Sequence, residues 1–239
     1  MKARTWIILG ATSIIAEEFA HLAAQAKHSL LLVGRNNEQL KVIAADLRLR
    51  YSINCDFLYT DFAKDISKLM EVIQQPEEFD LFIAYSAIFE NAILNKENIQ
   101  ELVSINILST IQLINNYIHK VQTKHRILFL SSVAACRGRA KNSLYGGSKA
   151  MVETYLEGLQ QAAGENQQIT IARLGYIDTT QTYGQTGIFY ASPPKACAKA
   201  CWRASYAGKH LIYHPFFWRF IMGLIKNLPF FIYKKMGKL

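Results

Sequence analysis

Acidic residues are missing from the last quarter of the chain. No Asp or Glu follows Asp178, yet that segment holds nine Lys and Arg residues, whereas residues 1–178 hold 18 basic and 18 acidic residues. The net charge of +9 therefore lies entirely in the C-terminal segment. This distribution argues against a uniformly basic nucleic-acid-binding domain, for which the sequence also offers no base-reading element, and it indicates a segment that meets an anionic surface.

Cysteine is also scarce. Four Cys in 239 residues do not form the pattern of a disulfide framework. Cys197 and Cys201 share a helical face, but no His or second Cys pair lies at a metal-like spacing, so the sequence favours two buried thiols and predicts no metal site. The first ten residues lack a signal-peptide cleavage pattern and suit a first strand, so a reducing, cytoplasmic compartment is expected.

Short apolar runs alternate with segments of helical spacing, such as Leu40, Ile43, Ala44 and Leu47. The runs that suit buried strands are residues 5–9, 29–33, 54–59, 80–84, 126–131, 168–173 and 210–213. This alternation predicts an α/β fold, a Rossmann-like doubly wound parallel sheet of about seven strands. Residues 1–214 are predicted to form a single dinucleotide-binding and catalytic domain, and residues 215–239 a hydrophobic, basic extension with an amphipathic helix.

Tyr145 and Lys149 are the most informative pair in the chain. A helix places residues four apart on one face, where the Lys149 ammonium can stabilise a phenolate and lower the phenol pKa from about 10 toward neutrality. Ser132 directly follows the apolar run at residues 126–131. A tyrosine tuned in this way acts as a general acid or base, so the pattern predicts proton transfer at a carbonyl oxygen while a hydride arrives. The alternative is a tyrosine that only packs beside a helix.

A single glycine marks the turn after the first predicted strand. The turn reads Gly10-Ala-Thr-Ser-Ile-Ile-Ala, with Ile14 and Ala16 where a dinucleotide-binding turn usually has two more glycines. Such a turn presents backbone N–H groups at a helix N-terminus to a pyrophosphate. Its place in the first strand-turn-helix unit favours dinucleotide binding over a plain connection.

In this order, the motifs resemble those of the short-chain dehydrogenase/reductase family, over residues 5 to about 180. The family's T-G-x-x-x-G-x-G turn corresponds to residues 9–16, and its N-N-A-G segment to residues 84–87. Its Y-x-x-S-K motif corresponds to Tyr145, Ser148 and Lys149, and its P-G-x-x-x-T segment to Leu174, Gly175 and Thr179. The first two motifs are degraded here, whereas the four polar residues of the catalytic set are present.

The resemblance implies a role for each member of that set. Tyr145 would transfer the proton, and Lys149 would lower its pKa and hold the nicotinamide ribose. Ser132 would hydrogen-bond the substrate oxygen, and Asn106 would anchor a water that connects Lys149 to solvent. Two alternatives stay open: Ser131 could take the place of Ser132, and Asn106 could instead satisfy a gap in the backbone hydrogen bonding.

The cofactor site can be assigned in the same way. NAD-preferring sites carry an acid after the second strand, but here Gly34 leaves room and Arg35 offers a planar guanidinium suited to a 2′-phosphate. NADP is therefore the predicted cofactor; a merely solvated Arg35 is the alternative. Besides Tyr145 and Lys149, the residues that the resemblance assigns to cofactor binding are Gly10, Thr12, Ser13, Ile15, Arg35, Asn36, Asp61, Phe62, Ala84, Ser86, Gly175, Ile177 and Thr179.

The C-terminal extension departs from the family pattern. Residues 215–227 begin with Pro215, a favourable first helical residue, and combine Trp218 and three phenylalanines with few polar positions. Residues 230–233 are again apolar and precede Lys234, Lys235 and Lys238. The segment is too short and interrupted to span a bilayer but suits its interface. A helix buried in an oligomer contact or over the substrate cleft is the alternative.

These features predict a membrane-associated, NADP-dependent carbonyl reductase or alcohol dehydrogenase with a hydrophobic or lipid-linked substrate. The tail and degraded glycine turn are similar to those of polyprenyl-phosphate-linked keto-sugar reductases. A homo-oligomer located peripherally on the inner face of the membrane is expected. The substrate should contact residues 180–192, where Tyr183, Phe189 and Tyr190 could line its site. The competing hypothesis is a non-catalytic NADP-binding scaffold or redox sensor, motivated by the altered glycine turn.

Overall fold

The computed structural model of the protein describes residues 4–179 and 190–236. Its centre is a parallel sheet with the strand order β3-β2-β1-β4-β5-β6-β7. The strands are β1 (Thr5–Leu9), β2 (Ser29–Gly34), β3 (Cys55–Tyr59), β4 (Phe79–Ile83), β5 (His125–Ser132), β6 (Gln167–Leu174) and β7 (Leu211–His214). Each predicted strand is confirmed to within one residue at either end, and so is the doubly wound parallel sheet.

Helices cover both faces of the sheet. They are α1 (Ile14–Gln25), α2 (Asn37–Tyr51), α3 (Ser67–Ile73), α4 (Lys96–Val103), α5 (Thr110–Ile118), α6 (Ser143–Ala162), α7 (Pro194–Tyr206), α8 (Trp218–Asn227) and α9 (Phe230–Met236). One core cluster joins α1, α2 and α7 to the sheet, and a second joins α3, α5 and α6 to its other face. Both faces of the sheet are therefore buried, which explains why its strands read as continuous apolar runs.

The two cysteines of α7 pack in the first of these clusters. Cys197 and Cys201 are free thiols and fully buried, which agrees with the interpretation favoured from the sequence. The hydrogen bond with Cys201, together with burial, raises the pKa of Cys197, so this thiol stays protonated.

The C-terminal extension folds back onto the rest of the protein. Trp218 and Met222 of α8 are buried against Val133, which follows β5. The prediction that Pro215 is the first helical residue was wrong, because α8 begins at Trp218, after a tight turn in which the Trp218 N–H donates to the Pro215 carbonyl over 3.2 Å. Among the helices in residues 4–179 and 190–236, none has the length and apolar content needed to cross a bilayer.

Candidate active site

The candidate active site lies at the carboxyl ends of β1, β4 and β5. The sheet order reverses between β1 and β4, and ligands of such sheets bind in the crevice at this point. Gly10 follows β1, residues 84–87 follow β4, and Ser132 ends β5. Helix α6 brings Tyr145 and Lys149 to the same edge, so the fold assembles the predicted catalytic and phosphate-binding segments around one crevice.

A glycine in the first turn of α6 brings Tyr145 close to Ser132. The helix packs on the short 3₁₀ helix Val133–Cys136, and a Cβ added at Gly146 would lie 2.5 Å from the Ala134 carbonyl oxygen. The Tyr145 side chain hydrogen-bonds the Ser132 side chain and also that of Ser86. The Ser132 hydroxyl in addition accepts a hydrogen bond from the Ala134 N–H over 3.1 Å. Tyr145 is therefore held between two hydroxyl groups.

The electrostatics of Tyr145 differ from the expectation. Burial raises the pKa of Tyr145; the hydrogen bonds from Ser132 and Ser86 and the positive charge of Arg139 oppose this shift but do not reverse it. Lys149 is not among the groups that shift the Tyr145 pKa. The expected lowering of the phenol pKa is therefore wrong for the protein by itself, because desolvation of the phenolate outweighs its stabilisation.

The Lys149 ammonium is anchored to the sheet instead. Its Nζ donates a hydrogen bond to the Leu130 carbonyl over 2.9 Å and lies 4.7 Å from the centre of the Phe129 ring. Burial lowers the pKa of Lys149 to about 8, and the carboxylate of Glu153, one helical turn further on, opposes this shift. Lys149 therefore carries its charge at neutral pH but loses it under mildly alkaline conditions.

Asn106 ties the segment after β4 to helix α6. It lies in a π-helical stretch, Ser104–Ser109, and is buried. Its side-chain amide accepts a hydrogen bond from the Ala87 N–H over 2.7 Å and donates to the Ala87 carbonyl over 2.8 Å and to the Ser148 hydroxyl over 3.0 Å. This is the alternative interpretation, in which Asn106 satisfies backbone groups; its role in anchoring a water stays a prediction.

Gly10, the glycine that remains in the first turn, is required there for steric reasons. Gly10 has a φ of +79°, a value that favours glycine, and a Cβ there would lie 2.8 Å from the Tyr85 backbone nitrogen. Two polar residues predicted to bind cofactor cap helices: Ser13 accepts from the Ala16 N–H of α1, and Asn36 accepts from the Gln39 N–H of α2. These side-chain oxygens are therefore occupied by the caps, and the Ser13 N–H also has a partner, since it donates to the Gly10 carbonyl over 3.0 Å.

Arg35 lies at the end of β2, where the NADP prediction places it. Its side chain is 60% exposed, and its closest acidic partner is Glu101, at 3.9 Å. A Cβ at Gly34 would meet only ordinary contacts, the nearest at 3.7 Å, so glycine is not sterically required there. Among the described residues, the ion pair that holds the Arg35 guanidinium is long and exposed, and it contributes little.

The segments after β3 and β4 contribute an acid and an aromatic stack to the predicted cofactor site. Asp61 accepts a hydrogen bond from the Ala63 N–H over 3.0 Å, and Lys64 lies 3.5 Å from its carboxylate. Phe62 stacks on Tyr85 with ring centroids 3.7 Å apart. Tyr85 occupies the second asparagine position of the degraded N-N-A-G segment, so an aromatic pair fills the space beside the first turn.

The segment after β6 is fixed by its neighbours. The Gly175 N–H donates to the His214 carbonyl over 2.9 Å, and Ile177 pairs with Ser192 in an isolated bridge. Thr179 ends the first described range. Tyr190 lies 5.9 Å from the Phe217 ring, whereas Tyr183 and Phe189 fall outside the described residues. The positions of Thr12, Ile15 and Ala84 at the ends of β1 and β4 agree with the same crevice.

Sequence reasoning missed three parts of the site. Ser86 was assigned to the cofactor, although it also acts on the Tyr145 phenol. Arg139 was not considered, although its charge acts on Tyr145. Behind Lys149, Glu153 forms a buried ion pair with Arg173, with a shortest distance of 2.7 Å. Glu153 could have been identified from the sequence, because it lies four residues after Lys149 and so on the same face of the helix.

Comparisons with known proteins agree with this geometry. The sequence model of a family described as short chain dehydrogenase matches residues 4–186. An uncharacterised oxidoreductase of Mycobacterium tuberculosis is 27% identical, over 97% of this chain and 96% of its own.

Among solved structures, one of a 7β-hydroxysteroid dehydrogenase has a TM-score of 0.87 at 17% identity and covers 99% of this chain and 97% of its own. A short-chain dehydrogenase from Sphingobium yanoikuyae in complex with NADPH has a TM-score of 0.78 at 19% identity and covers 95% and 96%. The family match over most of the chain, together with the assembled Ser132, Tyr145 and Lys149, shows that this protein is an oxidoreductase of the short-chain dehydrogenase family.

Proposed function

We propose that the protein is an NADP(H)-dependent oxidoreductase that interconverts a carbonyl group and a secondary alcohol on a hydrophobic or lipid-linked substrate. The observation that carries this proposal is the convergence of Tyr145 and Lys149 of α6 on the end of β5, where the Lys149 Nζ bonds the Leu130 carbonyl and Ser132 acts on the Tyr145 phenol. A phenol in this position can give a proton to a carbonyl oxygen or take one from an alcohol.

The crevice fits a nicotinamide dinucleotide. Gly10 keeps a Cβ away from the turn before α1, so backbone N–H groups at the helix N-terminus can approach a pyrophosphate. When bound, the cofactor supplies or accepts the hydride. The residues that would hold it are those of the first turn, Arg35, Asp61 and Lys149.

The remaining chemistry belongs to the side chains of this protein. During reduction, Ser132 donates a hydrogen bond where negative charge develops on the substrate oxygen, and Tyr145 delivers the proton. The raised pKa of Tyr145 keeps the phenol protonated and ready to donate at neutral pH.

Replacing Tyr145 tests this mechanism. Tyr145→Phe removes the proton donor and keeps the ring, so carbonyl reduction should be abolished while NADP(H) binding stays largely intact. Tyr155→Phe, on the same helix but away from Ser132, is the matched control. The assay is oxidation of NADPH with a panel of hydrophobic ketones and membrane lipid extracts. Near-full activity of Tyr145→Phe would contradict the assignment, and binding of NADPH without any turnover would favour a scaffold.

The preference for NADP(H) rests on Arg35. An exposed guanidinium with one long contact, to Glu101, is free to bind a 2′-phosphate in a bidentate manner. The NADPH complex of the Sphingobium yanoikuyae relative supports the same choice. We expect NADP(H) to bind at least roughly tenfold tighter than NAD(H), about 1.4 kcal/mol, and Arg35→Ala to remove most of that difference. Glu101→Gln should preserve it. Equal affinities in the unmodified protein would refute the argument.

The C-terminal helices support the proposal of a membrane location. Phe216, Phe220 and Leu224 of the α8 region and Phe230 and Phe231 of α9 are all more than 60% exposed. Lys226, Lys234 and Lys235 lie in the last turns of the same two helices. Exposed aromatics flanked by lysines, with no acid nearby in sequence, suit the interface of an anionic bilayer, to which each lysine contributes about 1 kcal/mol.

Substitutions on this surface test it better than truncation, since truncation would also remove the buried Trp218. We expect the Phe230→Glu, Phe231→Glu double variant to lose co-sedimentation with phosphatidylglycerol vesicles. A double variant at two exposed positions elsewhere, Leu49→Glu and Val121→Glu, is the matched control. Unchanged vesicle binding by the first variant would refute the membrane location. Loss of a dimer, without any vesicle binding, would assign the surface to a second copy and to the predicted homo-oligomer.

A further inference from the structure

Helix α6 buries two charged side chains, Lys149 and Glu153, one helical turn apart. Both residues are 3% exposed, and residues four apart lie on one face of a helix. Lys149 reaches β5, where its Nζ donates to the Leu130 carbonyl over 2.9 Å, and Glu153 reaches β6, where it binds Arg173. Because β5 and β6 are paired, with Ser131 opposite Arg173, the two side chains of α6 end on adjacent strands.

The Arg173 guanidinium engages both carboxylate oxygens of Glu153. Its Nε lies 3.1 Å from Oε1 and 3.0 Å from Oε2, and its Nη2 lies 2.7 Å from Oε2. The remaining nitrogen, Nη1, donates to the Tyr213 hydroxyl over 2.7 Å, and that hydroxyl also lies 3.8 Å from the Cys136 Sγ. All three guanidinium nitrogens therefore have partners, which fixes the guanidinium in one place.

Few other ionisable groups surround this ion pair. Glu157, one turn further along α6, lies 3.7 Å from Arg173, but its side chain is 53% exposed. Tyr145 lies one turn before Lys149, and β5 has no ionisable side chain between residues 127 and 132. Glu153 is therefore the buried carboxylate whose charge acts on Lys149.

The Lys149 ammonium has two acceptors within reach of its helical face, the Leu130 carbonyl on the sheet and the Glu153 carboxylate one turn away. Among the described residues, the Glu153 oxygens form their ion pair with Arg173 and not with Lys149. A carboxylate whose two oxygens already bind a guanidinium attracts a second cation less strongly. Arg173 therefore leaves the ammonium on the Leu130 carbonyl.

We propose that Arg173 and Glu153 are positioning residues for Lys149: Arg173 occupies the Glu153 carboxylate, and the ammonium thereby stays on the Leu130 carbonyl, at the sheet edge that carries the candidate active site. This inference rests on the proposed function and adds two residues that act through Lys149. Without Arg173, the Glu153 carboxylate would draw the ammonium along α6. Without the Glu153 charge, burial alone would act on the pKa of Lys149 and lower it further.

The titration of Lys149 in the protein without cofactor tests the proposal. Lysine labelled with ¹³C gives side-chain NMR resonances that follow ionisation, and the resonance lost in Lys149→Arg identifies residue 149. Its midpoint should lie near the Lys149 pKa of about 8. Glu153→Gln should lower the midpoint and Arg173→Gln should raise it, each by roughly one pH unit. Arg173→Lys keeps the charge and should reverse at least half of the rise.

The affinity for NADPH separates the position of the ammonium from its charge. In Arg173→Gln at neutral pH, Lys149 would be fully charged but displaced toward Glu153. NADPH should therefore bind about tenfold more weakly, a loss equivalent to one hydrogen bond from a charged group. An effect on charge alone would leave the affinity unchanged or raise it.

Arg126→Gln is the matched control, because Arg126 forms a buried ion pair with Asp80, at 2.7 Å, near the other end of β5. It should lower the free energy of unfolding without moving the Lys149 midpoint. Each single variant of the Glu153–Arg173 pair leaves one buried charge unpaired, and the double variant Glu153→Gln, Arg173→Gln avoids this if a single variant fails to fold. Because Arg173 acts through Glu153, the double variant should titrate as Glu153→Gln does.

Four results would overturn the proposal. They are a midpoint that no variant moves, a shift in the same direction in both single variants, a double variant that titrates like the unmodified protein, and unchanged NADPH affinity in Arg173→Gln. Turnover of a neutral ketone with NADPH by the unmodified protein tests the proposed function separately. The NMR titration needs neither cofactor nor turnover, so the two can fail independently.

Discussion

Gly175→Ala is the substitution whose effect follows most directly from the structure. A Cβ at Gly175 would lie 1.9 Å from Nε1 of Trp218 and 2.3 Å from its Cδ1, far inside van der Waals contact. The Trp218 ring is 6% exposed and packs edge-on against Tyr176, so it has no free space in which to turn. The added methyl group must therefore displace α8 from the end of β6.

The loss in the free energy of unfolding can be estimated for each of the two single substitutions. Adding a methyl group to a well-packed site costs about 1–3 kcal/mol, and removing a buried tryptophan, Trp218→Ala, costs about 3–5 kcal/mol. In the Trp218→Ala background, the closest contact of the added Cβ is absent. Gly175→Ala should then lower the free energy of unfolding by less than ~0.5 kcal/mol. The double-mutant cycle should therefore yield an interaction free energy of about 0.5–3 kcal/mol between the two sites.

Urea unfolding, followed by circular dichroism, gives the free energies of unfolding for the four proteins of the cycle. Tryptophan fluorescence of Gly175→Ala should also show a more exposed indole, since Trp218 leaves its site. A cost for Gly175→Ala that is the same with and without Trp218 would refute the contact between α8 and the end of β6. It would also remove the structural basis for placing the C-terminal helices beside the active site.

Three further predictions concern the surroundings of Tyr145 and Lys149. Ser86→Ala should lower the rate of carbonyl reduction roughly fivefold, since it removes a hydrogen bond worth about 1 kcal/mol from Tyr145, whereas Ser131→Ala should have no such effect; steady-state rates with NADPH compare them. Glu153→Gln should cost about 3–5 kcal/mol in the free energy of unfolding, because it leaves the Arg173 guanidinium without its buried partner. NADP(H) affinity should fall as the pH rises through the Lys149 pKa of about 8, where the ammonium is lost, and Glu153→Gln should move this fall to lower pH; a fall at unchanged pH would contradict the role of Glu153.

The inner strands were predictable because they are buried on both faces, whereas the edge strands β3 and β7 are partly exposed. A parallel sheet covered by helices requires short, continuous apolar runs, and such runs stand out from the polar loops that flank them. The start of α8 was not predictable in the same way. Proline favours a first helical position, but the chain from Pro215 to Trp218 forms a tight turn instead, and Trp218 then reaches Gly175. The start of α8 therefore depends on the contact between Trp218 and Gly175, which are distant in sequence.

In the candidate site, too, residues set by local spacing were predictable, whereas contacts between distant segments were not. Tyr145, Lys149 and Ser132 were predictable because the spacing along one helix and the end of one strand specify them. The bond from Ser86 to Tyr145 joins segments that are distant in sequence, so only the folded chain reveals it. The direction of the Tyr145 pKa shift depends on how far burial exceeds hydrogen bonding, and this balance cannot be deduced from residue spacing.

The C-terminal helices and the catalytic loop are held together by adjacent residues. Arg137 and Gly138 bind the end of α8 and Tyr233 of α9, and Arg139 follows them directly. Any force that shifts α9, such as insertion of Phe230 into a bilayer as proposed above, would act on the backbone that carries Arg139. Asn91 also fixes that backbone on its other side. The shift would therefore move the Arg139 guanidinium more than it moves Tyr145. Membrane contact is therefore expected to move the loop before α6 while it leaves the proton-transfer groups in place.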